Sequence, residues 1–158
     1  MSNNEEINKL LDLAYFYLKF RPRTKKEVEN YLHKKSQKHH LSSEVINKAI
    51  KELESQDLIN DKKFIEWLVE QRNRSKQKSR FALTGELLRF GIDKDLIDEY
   101  FDNHLLNEEE LANRALLSSW QRWQYLPKDK RFQKAVQFLM RRGFNFEVIK
   151  KTISRLDK

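Results

Sequence analysis

Hydrophobic positions along the chain recur every three or four residues, the spacing of one helix face. Ile7, Leu10, Leu11, Ala14 and Leu18 make one such stripe. Phe64, Ile65, Leu68 and Val69 make a second, and Leu111, Ala112, Ala115 and Leu116 a third. Downstream of the second stripe the chain reads "ELLRFGIDKDLI" from Glu86. Fifty-two residues later, downstream of the third, it reads "FLMRRGFNFEVI" from Phe138. Leu87 then matches Leu139, Arg89 matches Arg141, Gly91 matches Gly143, Asp95 matches Glu147 and Ile97 matches Ile149.

An earlier copy, "YLHKKSQKHHLSSEVINKAI" from Tyr31, aligns when extra residues are allowed after Lys35. Leu32 then joins Leu87 and Leu139, Ser42 joins Asp93 and Asn145, and Glu44 joins Asp95 and Glu147. Ser, Asp and Asn are favoured helix N-caps, because a short side-chain oxygen accepts from an otherwise unpaired backbone N–H. The acid two residues on meets the positive end of the helix dipole. Ile46 and Ile50 lie one turn apart, as do Ile97 and Phe101, and Ile149 and Ile153. Gly91 and Gly143 fall where a helix end needs a left-handed residue. Pro22 and Pro127, the chain's two prolines, interrupt the first and third copies between their first and second helices.

The pattern predicts an all-α protein: a short tail over 1–5, then three tandem three-helix repeats over 6–55, 56–106 and 107–158. Units of this size have marginal cores alone, so neighbours share burial and form an elongated, curved array. Scarce Gly and Pro and abundant Leu, Lys, Glu, Arg and Gln agree with helix. A hydrophobic fraction of 39% argues against disorder. Gly85 falls inside a predicted helix, where it costs about 1 kcal/mol relative to alanine.

Charge adds the functional signal. The net charge is +8, which points to an anionic partner. Residues 19–40 carry a net +6, residues 71–90 a net +5 and residues 118–142 a net +6, whereas 93–110 carry −7. The basic blocks recur at one place in each repeat, from the end of its first helix through its second. Candidate contacts are Arg21, Arg23, Lys25 and Lys26 in the first block, and Arg72, Arg74, Lys76, Lys78, Arg80 and Arg89 in the second. The third supplies Arg122, Lys128, Lys130, Arg131, Lys134, Arg141 and Arg142. Two readings stand: a track for a phosphate backbone or acidic surface, or solvated helix faces balanced by the acidic stretches. In "SSWQRWQYLPKDKRFQK", Trp120, Trp123 and Tyr125 either stack on unpaired bases or pack against neighbouring helices, and packing is the favoured expectation.

Other chemistry is not written in the chain. There is no cysteine, hence no disulfide, thiolate metal site or cysteine nucleophile. His33, His39, His40 and His104 lack acidic companions at ligand spacing, so no metal or other cofactor is expected. No phosphate-binding loop, nucleophile elbow or paired-carboxylate cleft is recognisable, and no catalytic residue is assigned. Asp57, Asp61 and Glu66 fit turns and helix starts. No apolar run approaches the roughly 20 residues that span a bilayer, and the first residues do not resemble a secretory signal. A cytoplasmic monomer without membrane association is the expectation.

Several segments, in order, resemble the RecX family of RecA regulators. "LKFRPRTKKEVENYL" is similar to its opening signature, an Arg-x-Arg-Ser/Thr-x-x-Glu run followed by an apolar residue, here Arg21, Arg23, Thr24, Glu27 and Val28. "LINDKKFIEWLVEQR" resembles a Leu-apolar-Asp-Asp-x-x-Phe segment, with Asn60 at the first acid. "ELLRFGI" and "LMRRGFNFEVI" resemble two further segments, with Phe90 in place of a base. Ser79 and Arg80 stand where the family has Gly-Pro. The resemblance implies a non-enzymatic protein that binds RecA or its filament and damps recombinase, ATPase and co-protease activities in DNA repair. Single- or double-stranded DNA is a further partner under this reading. The alternative is an independent DNA- or RNA-binding helical module.

Overall fold

A computed structural model describes residues 2–158, and among these it contains nine α-helices and no strand. They are α1 (Asn3–Leu18), α2 (Lys25–His39), α3 (Ser43–Ser55), α4 (Asp61–Arg74), α5 (Arg80–Arg89), α6 (Lys94–Asn103), α7 (Glu108–Arg122), α8 (Lys128–Arg141) and α9 (Phe146–Leu156). The caps follow the residue types. Ser42, Asn107 and Asn145 accept from the backbone N–H three residues on, each worth about 1 kcal/mol. Ser2 does the same for α1, with Glu5 and Glu6 in its first turn. Residues 3–5 therefore belong to α1 and not to a tail; Met1 of that tail lies outside the described residues.

The chain packs into two compact units. The first comprises residues through Trp67 together with Leu87–Leu96; the second comprises Leu68–Glu86 and Ile97–Lys158. Helices α4, α5 and α6 thus supply residues to both. In the first unit α1, α2 and α3 pack against one another around Leu10, Ala14, Leu32, Ile46, Ala49 and Leu53. In the second, α7, α8 and α9 enclose Ala112, Leu116, Ala135, Leu139 and Ile149. Each buried Leu or Ile contributes about 1.5–3 kcal/mol by leaving water.

The second helix of each triplet ends in the same way. Leu41 N–H donates to Ser36 O at 3.1 Å, Ile92 N–H to Leu87 O at 3.2 Å and Phe144 N–H to Leu139 O at 3.1 Å. This six-to-one bond closes a left-handed cap. The cap residues are His40 (φ 55°), Gly91 (φ 85°) and Gly143 (φ 88°). This register corrects the insertion expected after Lys35: Ser36, not Leu32, stands opposite Leu87 and Leu139. Helices α2 and α8, with 15 and 14 residues, need no inserted segment. It is α5, with 10 residues, that is short at its start. His39 and His40 therefore sit at a helix end.

A recurring joint explains why two of the three caps are glycine. In the first unit Thr24, at the start of α2, donates its hydroxyl to Phe90 O at 2.7 Å, and Lys25 N–H donates to the Asp61 carboxylate at 2.9 Å. In the second unit Ser79, before α5, donates to Gly143 O at 2.7 Å, and Arg80 N–H donates to the Glu108 carboxylate at 2.6 Å. A hydroxyl-bearing helix start thus docks on a glycine cap and on the acid that opens another helix. A Cβ on Gly91 would stand 2.5 Å from Lys26 Cβ; on Gly143 it would stand 2.5 Å from Ser79 Oγ and 2.6 Å from Ala82 Cβ. Glycine is needed there for its dihedral angle and for the close approach. His40 has the same handedness in an exposed position, and a side chain is tolerated.

Candidate anion-binding face

The three basic blocks have different surroundings. In the first, Arg21 makes a two-pronged pair with Glu27, at 3.1 and 2.6 Å, and donates to Pro22 O. Arg23 lies over the Tyr17 ring at 3.9 Å and reaches Glu27 at the same distance. Glu27 also accepts from Thr24 N–H, while Thr24 Oγ1 accepts from Glu27 N–H; this reciprocal capping box fixes the start of α2. Lys25 pairs with Glu54 at 3.5 Å. Lys26 forms no ion pair among the described residues, but its side-chain stem packs against Gly91. The residues that carry the family signature are therefore the parts of a folded joint.

The second block is likewise satisfied in large part. Arg72 and Lys78 both bind the buried Glu86 carboxylate. Burial opposes ionisation of Glu86, but the hydrogen bonds from these two cations outweigh it and hold its pKa below the ordinary value. Arg74 pairs with Glu70, and Arg80 with Asp98 and Asp102. Lys76, with φ 60°, and Arg89 have no ion pair among the described residues.

The third block contacts rings and carbonyls instead. Arg131 lies 3.6 Å over Trp120 and donates to its carbonyl at 2.8 Å. Lys134 lies 5.6 Å over Trp123, and Arg142 lies 4.7 Å over Phe138 while donating to Gln77 O. Trp123 meets Phe138 edge-on at 6.2 Å. Arg122 donates to Ser119 Oγ, and Lys128 reaches Asp157. Lys130 and Arg141 have no ion pair among the described residues. Burial and the neighbouring Arg141 charge depress the Arg142 pKa. The aromatic triplet divides: Trp120 is 5% exposed and packs as expected, Trp123 is half-buried, and Tyr125, 82% exposed, is not packed. Phe138, which is not among the residues expected from the sequence, completes the face. Its helical offset of four from Lys134 was the available signal.

A groove of about 480 Å3 in the first unit is lined by Leu18, Pro22, Leu58, Phe64 and Trp67, and its one acid, Asp57, is paired with Lys63. Among the described residues no group of three or more His, Cys, Asp or Glu is placed to hold a metal ion. Among them, too, no helix is long and apolar enough to cross a membrane. Asn60, at the position of the family's first acid, accepts from Lys63 N–H at 3.2 Å and so preserves the cap.

Fold and faces together define a helical-repeat protein assembled from three-helix domains. Residues 60–100 match the family model of the second three-helix domain of RecX, and residues 107–153 match that of the third. The chain belongs to the RecX family. It is 28% identical over 160 residues to the regulatory protein RecX of Streptococcus agalactiae, covering 97% of this chain. It is 31% identical over 147 residues to that of Streptococcus thermophilus, covering 92%. It spans only 60% and 55% of the lengths of these two relatives. The crystal structure of RecX from Lactobacillus salivarius matches with a TM-score of 0.77 and 25% identity, over 98% of both chains.

Proposed function

We propose that this chain is a non-enzymatic regulator of the RecA recombinase. It binds RecA or its nucleoprotein filament and lowers ATPase, strand-exchange and co-protease activities. The observation that carries the reading is the succession of RecX three-helix domains along more than half of the chain. The Arg21–Val28 signature at its start adds support. The chain works as a cytoplasmic monomer, with helix triplets α1–α3, α4–α6 and α7–α9 as its units. Cations of the three blocks that lack an internal carboxylate are the candidate contacts. RecA assembled on single-stranded DNA, titrated with the purified chain, should lose ATP hydrolysis at substoichiometric amounts and carry the chain into the filament pellet. Unchanged hydrolysis without co-sedimentation would reject the proposal.

A further inference from the structure

We propose that the groove of the first unit, between the α1–α2 connection and the start of α4, docks a linear acidic peptide segment that carries a large apolar side chain. This goes beyond the recombinase reading and does not depend on it.

The groove joins two chemistries. Its floor is apolar, made by Leu18, Pro22, Leu58, Phe64 and Trp67. Phe64 is buried, but Leu58 is exposed and Trp67 half-buried, so the floor meets solvent. Its volume, about 480 Å3, falls within the roughly 300–1,000 Å3 of ligand clefts. The rim is basic: Lys19, Arg21, Arg23 and Lys63 stand against one acid, Asp57. Arg21 and Arg23 are held on Glu27. Lys19 is exposed and has no ion pair among the described residues. Lys63 pairs with Asp57, with both side chains open to water. Such a pair is worth little, so Lys63 can turn to an incoming carboxylate while Asp57 keeps its bond from Asn60 at 2.9 Å. The apolar surface continues from Leu18 to the exposed Phe20, which meets the exposed Phe16 edge-on at 5.2 Å. An apolar anchor flanked by carboxylates answers both the floor and the two available cations. A purely acidic chain would leave the floor empty, and a purely apolar one would leave the cations unanswered. A second copy of this chain is a poorer occupant, because it brings a net +8 to a basic rim.

The experiment uses the whole chain and the fluorescein-labelled peptide Glu-Asp-Asp-Leu-Phe-Asp-Glu. Anisotropy should rise on titration at low salt, and added salt should weaken the binding. The unlabelled peptide should shift tryptophan emission, and Trp67→Phe should remove that shift while retaining binding. Lys19→Ala with Lys63→Ala should weaken binding by about 2- to 30-fold, the range for two exposed ion pairs. Leu58→Ala should weaken it by about 4- to 15-fold, as for the loss of one to two buried methylenes. Lys34→Ala, in the same unit but outside the groove, should leave it unchanged. The proposal is overturned by no binding at low salt, by binding that either the lysine double variant or Leu58→Ala leaves unchanged, or by equal binding of a peptide with Ser-Ser in place of Leu-Phe. Self-association that Leu58→Ala abolishes and the peptide does not compete with would assign the groove to a second copy and overturn it as well. Lys19 and Lys63 are exposed, so their variants keep the test sound even where Leu58→Ala disturbs folding.

Discussion

The chain leads into α2 and into α8 at the same place in two triplets, and both helix starts are basic and proline-marked. Their physics differs. At α2, Thr24 is completely buried, caps its helix and donates to Phe90 O; Arg21 and Arg23 converge on Glu27. At α8, Pro127 offers no side-chain cap, Tyr125 is exposed, and the third helical residue is Lys130 where α2 has Glu27. One carboxylate at that position turns a run of arginines into a closed joint. Without it, Lys128 and Lys130 of the other run stay exposed, while Arg131 packs on Trp120. Equal charge in the sequence therefore marks a piece of architecture in one triplet and a candidate binding face in another.

Making the closed helix start resemble the open one should have the largest effect. Glu27→Lys removes the capping box and leaves Arg21 and Arg23, both half-buried, beside a third cation. The loss should be about 3–5 kcal/mol, as for a buried pair broken on one side together with a lost cap. Urea unfolding followed by far-ultraviolet circular dichroism measures it. A loss below about 1 kcal/mol would mean that the arginines are not tied to the fold through Glu27.

The joints offer the next test. Gly143→Ala forces a side chain into a left-handed dihedral and against Ser79 and Ala82. It should destabilise the protein by about 2–3 kcal/mol. His40→Gly, at the matching cap with an exposed side chain, should instead stabilise by up to about 1 kcal/mol, because the left-handed strain is relieved. The pair of melting curves separates the two demands on the cap. If Gly143→Ala proves no worse than about 1 kcal/mol, the dihedral matters there and the close approach does not.

What the sequence made legible follows from which interactions are local. Helix stripes, N-caps and the glycine stops depend on residues three to five apart, so Ser42, Asn145, Gly91 and Gly143 could be assigned from pattern alone. The αL role of His40 was hidden because the residue type does not announce it, and the supposed insertion followed from that miss. The joints were invisible for another reason: Thr24 with Phe90, and Ser79 with Gly143, are pairs more than sixty residues apart. The basic blocks could be counted, but their partners Glu27, Glu54 and Glu86 are a matter of folded geometry. Positive charge was thus readable, whereas its availability was not.

The Glu86 cluster sharpens the contrast between satisfied and open cations through pH. Its folded pKa is held below the unfolded value, near 4.5. The contribution is therefore present above that value and is lost as pH falls through the folded pKa. Glu86→Gln should lower stability by about 1.5–3 kcal/mol at neutral pH, the range for hydrogen bonds to charged groups. The gap to the parent chain should close as pH falls below 4.5 and through the folded pKa. Urea midpoints across pH 3–7 give the result. A gap that stays constant with pH would show that Arg72 and Lys78 do not draw on the ionised carboxylate.

The reverse exchange, Lys130→Glu, should have the smallest effect on folding and is the sharpest test of the contrast. A capping box cannot form around it, because Pro127 has neither a side-chain oxygen nor a backbone N–H to complete one. The new carboxylate only gains the favourable end of the α8 dipole, worth about 0.3–1 kcal/mol. Stability should therefore rise by less than about 1 kcal/mol. Co-sedimentation with RecA assembled on single-stranded DNA should weaken, because one candidate cationic contact is lost. If stability moved by several kcal/mol while binding stayed the same, Lys130 would be a structural cation like Arg21, and the starts of α2 and α8 would differ in sequence without differing in role.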